Sequence, residues 1–472
     1  MQSDDLAFAS VVELGRLLRQ KKTSASELAT YFLDRLERLG PRYNAVVTVT
    51  RERALAEAAQ ADREIRQGIG RGPLHGIPYG VKDLLATKGY PTSWGAEPYR
   101  KQQFDADATV VERLRAAGGV LVAKLAMVEL AGGMGYNQPN ASFTGPGKTP
   151  WNPGYWSGGS SSGPGAAVAA GLVPFAIGSE TSGSILTPSA YCGVTGLRPT
   201  YGLVSRHGAM ALAWTMDKLG PMGRTAEDCA IVLQVIAGPD PKDPSAVARG
   251  FRVPPLPSGR GGQGVRTKLG IPKGADKDIQ PEVAANFRAA LKVLEDRVEL
   301  VEDVELPDLP YGAVAGMIIA AEGASAFDDL LKDGRLSQLT APEDRTGGYP
   351  ALAVSAPDYL RALRARRPMQ RALDDFLKKF DALAVPTRTT VSTPLDKAFR
   401  DGWPGITGGA NVIGPTNVVG VPGVSVPNGF GVQNLPTGLS FTARAFDEAK
   451  LVTLARLYQD RTDWHRRRPT IA

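Results

Sequence analysis

Short apolar runs bounded by glycine or proline recur in the first half of the chain, and stretches of helical periodicity separate them. Residues 73–85 (PLHGIPYGVKDLL) and 118–127 (GGVLVAKLAM) are two such runs, with an amphipathic stretch at 108–117 between them. Strands that alternate with helices are typical of an α/β sheet. The 54 glycines and 36 prolines among 472 residues favour many tight turns over long coiled helices. The pattern therefore predicts an α/β fold.

The remaining periodicity predicts one large unit with helices throughout. Ser24 and Glu27 have the spacing of a capping box, and residues 239–264, rich in proline, glycine and charge, predict an exposed loop. Helices are predicted at 10–19, 24–39, 50–67, 281–296, 312–333, 356–380 and 446–463. Because no repeat and no obligatory linker divides the chain, we predict a helical segment at 1–70 and a single large domain at 71–472.

Charge and cysteine content restrict the class of protein. The net charge is +7, but the densest basic groups, at 361–367 and 465–468, have no interleaved aromatic residues, so we expect solvated helix faces and no nucleic-acid partner. Two cysteines, Cys192 and Cys229, cannot form a disulfide framework or a four-cysteine zinc site. The acidic N-terminus and the absence of a run of about 18 apolar residues predict a cytoplasmic protein without membrane segments.

Motifs for metal and cofactor chemistry are missing from the sequence. The three histidines form no HExxH pattern, and no GxGxxG follows a predicted strand. Residues 145–149 (GPGKT) resemble a phosphate-binding loop, but the glycine that this motif needs is replaced by Ser142. We therefore predict that the protein uses no cofactor or metal.

Two serine-based mechanisms compete for residues 157–163 (SGGSSSG). Ser161 is central in a G-x-S-x-G pattern, for which His465 could supply a base, although no HGGG-type oxyanion segment is present. Lys82 offers a different base, because apolar neighbours would remove it from water and favour its neutral form. An equally good interpretation pairs Lys82 with an acid at a strand end. A second serine cluster at 178–193 places Ser184 in a turn whose backbone N–H groups could face an oxyanion.

Three segments, in this order, resemble the signature of the amidase signature family of serine hydrolases. They are HGIPYGVKDLLATKGYPTSWG (75–95), TPWNPGYWSGGSSSGPGAAVAAG (149–171) and GSETSGSILTPSAYCGVTGLRPTYGLVS (178–205). The resemblance extends over most of the chain. It implies the family's fold, a large, mostly parallel mixed sheet surrounded by helices in a single large domain, and it assigns the catalytic domain to 71–472.

The resemblance also implies a catalytic triad. Ser184 would be the nucleophile, Ser160 would transfer a proton from a position after a cis peptide bond, and Lys82 would be the neutral base. The oxyanion hole is implied at three consecutive backbone N–H groups, those of Thr181, Ser182 and Gly183. Apolar and aromatic residues near the motif loops predict a substrate pocket formed by Met134, Tyr136, Trp156, Tyr191 and Trp214.

The implied activity is hydrolysis of C–N bonds other than peptide bonds through an acyl-enzyme. Aryl acylamidase, urethanase and esterase activities stay open, because the acyl-enzyme step tolerates different leaving groups. We expect a small-molecule amide, ester or carbamate as substrate, neither a nucleic-acid nor a membrane partner, and a monomer or homodimer.

Two alternative functions remain. A glutaminase-type subunit of a transfer-RNA amidotransferase has the same fold, but Glu180 and Leu186 stand where the family usually has aspartate and arginine, and these departures weigh against it. The other alternative is the histidine-dependent hydrolase that uses Ser161.

Overall fold

The computed structural model describes residues 3–255, 267–409 and 412–471. Eleven strands within these ranges form one mixed sheet, in the order β1-β3-β2-β4-β6-β5-β10-β11-β9-β7-β8. The strands are β1 (Val46–Val49), β2 (Pro78–Lys82), β3 (Val120–Leu125), β4 (Phe175–Glu180), β5 (Thr195–Arg198), β6 (Lys218–Gly223), β7 (Thr267–Pro272), β8 (Val298–Val304), β9 (Ala382–Pro386), β10 (Gly423–Phe430) and β11 (Pro436–Thr442).

Helices cover the sheet. In the described ranges they are α1 (Ser3–Ala7), α2 (Val11–Arg19), α3 (Ala25–Leu39), α4 (Arg51–Arg66), α5 (Thr109–Ala116), α6 (Ser162–Ala169), α7 (Leu186–Cys192), α8 (Ala226–Ile236), α9 (Pro281–Leu294), α10 (Tyr311–Ala326), α11 (Asp328–Lys332), α12 (Asp344–Gly347), α13 (Ala356–Leu377), α14 (Ile413–Val419) and α15 (Glu448–Gln459). The seven helices predicted above are all present, with ends that differ by a few residues. The stretch at 312–333 is divided between α10 and α11.

The prediction of an α/β fold with a large mixed sheet surrounded by helices is confirmed, but the expected majority of parallel strands is wrong. Four of the ten strand pairings are parallel and six are antiparallel. The hairpin of β10 and β11 illustrates the cause. The five residues at 431–435 can reverse the chain, whereas a parallel crossover needs a dozen or more.

One hydrophobic cluster includes buried residues from Ala9 to Tyr458, so the chain packs as a single domain. The segment at 1–70 is not purely helical, because β1 pairs antiparallel with β3 and joins the main sheet. The predicted capping box is present at α3, where Glu27 accepts from the Ser24 N–H at 2.8 Å and Ser24 Oγ accepts from the Glu27 N–H at 3.1 Å. Of the predicted loop at 239–264, residues 239–255 contain neither helix nor strand. Residues 256–264 lie outside the described residues.

The order of the strands creates the site. β2 and β4 are parallel neighbours, with Gly80 opposite Ala176 and Val81 opposite Ile177. Carboxyl ends of parallel strands meet at the same edge of a sheet. Lys82, the last residue of β2, therefore lies beside the end of β4, where the second serine cluster begins.

Candidate functional site

Lys82 is completely buried at the end of β2 and contacts two serine hydroxyls. Its Nζ lies 2.7 Å from Ser160 Oγ and 2.9 Å from Ser179 Oγ. Burial lowers the pKa of Lys82 to about 7, although the carboxylates of Asp217 and Glu180 oppose this shift. An amine with this pKa is largely neutral slightly above pH 7 and can accept a proton from the hydroxyl in front of it.

The glycine-rich loop shapes the backbone around Ser160. The Gly159–Ser160 peptide bond is cis, as the resemblance implies, and Ser160 is fully buried. Side-chain atoms are excluded on both sides, because an added carbon at Gly158 would lie 2.6 Å from Pro188 Cα, and one at Gly159 would overlap the Tyr136 hydroxyl. Glycine at both positions therefore lets the loop approach α7 and the aromatic residues closely.

The segment with Ser184 is joined to this loop by hydrogen bonds. The Ser161 N–H donates to the Ser184 carbonyl at 3.3 Å. Ser161 Oγ donates to the Ser179 carbonyl at 3.1 Å and accepts from the Ser179 N–H at 3.2 Å. The residue after Ser160 is thus fixed to the backbone of Ser184 and to β4, and this holds the Ser160 loop beside the turn that carries Ser184.

The turn before Ser184 presents unpaired backbone donors. In the described part of the chain, the N–H groups of Ser182 and Gly183 have no hydrogen-bond acceptor, as an oxyanion hole requires. Gly183 has a φ of +93°, a left-handed conformation that glycine tolerates. Thr181 is anchored through its Oγ1, which donates to Asp217 at 2.5 Å. These contacts leave the roles predicted for Thr181, Ser182 and Gly183 available.

Glu180 fixes the chain on the other side of Ser184. One carboxylate oxygen accepts from the N–H groups of Ile185 at 2.8 Å and Leu186 at 3.0 Å. The other accepts from Arg198 at 2.8 Å and from Asn417 at 2.7 Å. Burial alone would raise the pKa of Glu180, but the positive charges of Arg198 and Lys218 hold it at about 2. The ionised carboxylate therefore holds the start of α7, two residues after Ser184, in a fixed position.

The predicted substrate pocket is divided by the structure. Tyr136, Trp156 and Tyr191 form a ring cluster in which the Trp156 ring centroid lies 6.0 Å from each tyrosine ring, and Tyr136 and Trp156 lie against Gly159. Met134 is buried in the main core. Trp214, which is 38% exposed, lines a cavity of about 160 Å³ together with Ser179, which contacts Lys82, and Thr181 of the predicted oxyanion turn. The ring cluster therefore adjoins the Ser160 loop, and Trp214 lies on a cavity that reaches the Lys82 side of the site, while Met134 packs in the core.

The histidine-dependent alternative is not supported by the positions of its residues. Ser161 Oγ is engaged by the backbone of Ser179, as described above. His465 lies near the C-terminus, where it lines another cavity with Phe8 and Arg224. Burial and the neighbouring Arg466 and Arg224 lower the pKa of His465 to about 4. The structure therefore does not bring Ser161 and His465 together as nucleophile and base.

Three residues of the site were not predicted from the sequence. Ser179 is the second acceptor for Lys82, and it was visible in the sequence as the first serine of the 178–193 cluster. Arg198 and Asn417, the partners of Glu180, are 219 positions apart and no local pattern connects them. Within the described ranges, no three His, Cys, Asp or Glu side chains are grouped as metal ligands, and no helix is long and apolar enough to span a membrane.

Comparisons with known proteins extend over nearly the whole chain. A family model described as Amidase matches residues 27–452. The A subunit of glutamyl-tRNA(Gln) amidotransferase from Moorella thermoacetica is 37% identical over 99% of both sequences. Among solved structures, native peptide amidase from Stenotrophomonas maltophilia has a TM-score of 0.85 and 30% identity, covering 98% of each chain. The A subunit of glutamyl-tRNA(Gln) amidotransferase from Thermotoga maritima has a TM-score of 0.76 and 29% identity, covering 96% of this chain and 94% of that one.

Proposed function

The chain belongs to the amidase family of enzymes that act on C–N bonds, and we propose that it is the amide-hydrolysing subunit of a glutamyl-tRNA(Gln) amidotransferase. The observation that carries the proposal is the full-length likeness to the A subunit of such an enzyme, in a chain whose Lys82 and Ser160 are in direct contact. The proposed task is to release ammonia from an amide donor such as glutamine, for transfer by partner subunits.

This proposal corrects two expectations from the sequence. The main prediction was a stand-alone hydrolase of aryl or alkyl amides, carbamates or esters. It is wrong, because the relatives that match nearly the whole chain are A subunits of glutamyl-tRNA(Gln) amidotransferases, which was the alternative function. The expectation that the protein acts on a small molecule alone, without a nucleic-acid partner, is wrong for the same reason. The net charge of +7, for which we expected solvated helix faces, is also compatible with binding to a polyanion.

The departures at Glu180 and Leu186 weigh against this function in the sequence, but contacts in the structure reduce their weight. Glu180 binds Arg198, so a buried arginine is present although position 186 has none. Leu186 is only 1% exposed and contributes its backbone N–H to Glu180. The substitutions therefore leave a complete ionic anchor for the Ser184 turn.

In the proposed mechanism, Lys82 accepts the Ser160 proton while Ser160 accepts the Ser184 proton. The Ser184 oxygen then bonds to the amide carbonyl carbon, and the negative oxygen of the intermediate is stabilised by the N–H groups that precede Ser184. The proton returns through Ser160 to the nitrogen as the C–N bond breaks, which releases ammonia and leaves an ester on Ser184. Water, deprotonated along the same route, hydrolyses this ester to the acid.

The test is conversion of glutamyl-tRNA(Gln) to glutaminyl-tRNA(Gln) by the chain purified with its co-expressed partner subunits. With glutamine as donor, Ser184→Ala should abolish conversion, whereas a high concentration of ammonium salt should restore it, because ammonia no longer has to be released at Ser184. Ser337→Ala, an exposed serine far along the chain, is the matched control and should convert with glutamine as the wild type does. If ammonium supports conversion but glutamine does not, even with wild-type protein, the proposal is overturned.

A further inference from the structure

Arg388, beside Tyr191 of the ring cluster, has no carboxylate partner in the described part of the chain. It follows β9 by two residues and is exposed. Its Nε donates to the Tyr191 hydroxyl at 3.4 Å, a long hydrogen bond, and it forms no ion pair with any carboxylate in the described part of the chain. Arg198, by contrast, is held by the Glu180 carboxylate, so Arg388 has binding capacity that the protein itself does not use.

The position of Arg388 relative to the triad follows from its aromatic neighbours. Tyr191 belongs to α7, the helix that begins two residues after Ser184. Its ring contacts Trp156, which contacts Tyr136, whose hydroxyl lies against Gly159, the residue before Ser160. The charge of Arg388 acts on Tyr136 as well: burial raises the pKa of this phenol, and Arg388 is the strongest opposing influence. Arg388 therefore lies on the ring-cluster side of the triad.

The ring cluster next to Arg388 carries hydrogen-bond donors. The buried hydroxyl of Tyr136 and Nε1 of Trp156, a side chain that is 5% exposed, have no partner in the described residues. Tyr191 adds a hydroxyl that accepts from Arg388 and lies 3.5 Å from Thr390 Oγ1, with which it can exchange a weak hydrogen bond. A guanidinium beside a cluster that carries O–H and N–H groups matches an acceptor-only anion, and a carboxylate fits it best because Arg can bind both of its oxygens.

We propose that Arg388, with Tyr191, binds a carboxylate on the amide substrate and so selects amides that carry one. The inference rests on the proposed function and names the substrate class of that site. Glutamine belongs to this class, since its amide carbonyl and its α-carboxylate are separated by a short aliphatic chain. Arg388 would act on binding and orientation, because the amide carbonyl lies at Ser184 and not at Arg388.

Steady-state ammonia release tests the inference with two matched substrate pairs. Glutamine is compared with 4-aminobutanamide, which lacks only the α-carboxylate, and succinamate is compared with butyramide. The wild-type complex should favour the carboxylated member of each pair. Arg388→Gln should raise the KM for the carboxylated amides at least tenfold with a smaller effect on kcat, and Arg388→Lys should recover part of this loss. Arg361→Gln, a change at an exposed arginine of α13, is the control and should behave as the wild type.

The outcomes separate this inference from the proposed function. Preference for succinamate that depends on Arg388, without turnover of glutamine, would support the carboxylate site and count against the glutamine-dependent function. Equal use of both members of each pair, or an unchanged KM in Arg388→Gln, would overturn the inference and leave amide hydrolysis intact. If no amide is turned over, glutamate is titrated into Ser184→Ala and into Ser184→Ala/Arg388→Gln by calorimetry. Binding to Ser184→Ala alone supports the inference, and binding to both variants or to neither overturns it.

Discussion

Two lysines at the ends of adjacent strands show what makes a buried amine a base. Lys82 of β2 and Lys124 of β3 are both completely buried, and burial lowers the pKa of both. Lys82 contacts two serine hydroxyls, whereas Lys124 Nζ lies 3.0 Å from Asp83 Oδ1 and donates to the Leu85 carbonyl at 2.9 Å. Burial is the same in the two places, and only the partners differ.

The difference assigns the two lysines different tasks. A carboxylate favours the charged form of Lys124 and holds it as one half of a buried ion pair. Hydroxyls provide no such compensation to Lys82, so it can exist as the neutral amine that proton transfer needs. The interpretation of Lys82 as an amine paired with an acid, left open by the sequence, describes its neighbour on β3 instead.

The largest effect is expected from Lys82→Met. Removing the base should lower kcat for ammonia release by about 10³- to 10⁴-fold, in line with general-base contributions of this size. The free energy of unfolding at pH 7 should not fall, because Met avoids the cost of burying a lysine. The measurement pairs steady-state ammonia release with urea unfolding. Activity within tenfold of the wild type would show that Lys82 is not the base.

Lys124→Met should act mainly on stability. It leaves Asp83 buried without its cation, which costs about 3 to 5 kcal/mol in the free energy of unfolding. The same urea titration measures the loss, and kcat of the folded fraction should stay within a few-fold of the wild type. The double variant Lys124→Met/Asp83→Asn removes both charges and should be more stable than Lys124→Met. Equal instability of single and double variants would contradict the ion-pair explanation.

The pH dependence of the rate and of the free energy of unfolding tests the assignment of Lys82 as the base. Below about pH 7, kcat/KM should rise about tenfold per pH unit and then level off as Lys82 loses its proton. The pKa of Lys82 is lower in the folded chain than its ordinary 10.5, so the unfolded state binds more protons between these values. The free energy of unfolding of the wild type, relative to that of Lys82→Met, should therefore increase from about pH 7 to pH 10. A rate independent of pH between 5 and 8 would exclude this base.

The smallest effect is expected from Ser161→Ala, next to Ser160. It removes two hydrogen bonds to the backbone of Ser179 and should cost about 1 to 2 kcal/mol of stability. Activity should drop less than tenfold, because Ser161 Oγ does not contact Lys82. Ser160→Ala, measured in parallel, should lose as much activity as Lys82→Met. A loss of activity in Ser161→Ala equal to that of Ser160→Ala would restore Ser161 as a candidate nucleophile.

Much of the fold could be predicted because local patterns determine local elements. The capping box at α3 and the strand–helix–strand pattern at 73–127 needed only neighbouring residues. The direction of the strands did not follow from such patterns. It depends on which strands pair, and β5 pairs with β10 although more than 200 residues separate them along the chain.

The same limit applies to the site. Lys82, Ser160 and Ser184 were named from the resemblance, and the structure places Lys82 against Ser160. Ser179 could have been found, since it lies in a segment already singled out. The partners of Glu180 could not, because Arg198 and Asn417 reach it only after distant strands and helices have assembled. The function follows the same limit, because the departures at Glu180 and Leu186 are local and weigh against the subunit function, whereas the likeness over the whole chain supports it.

The place of β10 and β11 in the sheet has a consequence for synthesis on the ribosome. Residues 423–442 insert between β5 and β9, in the interior of the sheet, and α14 just before them supplies Asn417 to Glu180. Until these residues have been translated, one edge of β5 has no partner strand and can pair with another chain. Contacts this distant in sequence also form slowly. We therefore expect the nascent polypeptide to depend on chaperones, and to be inactive, until residues 423–442 have emerged.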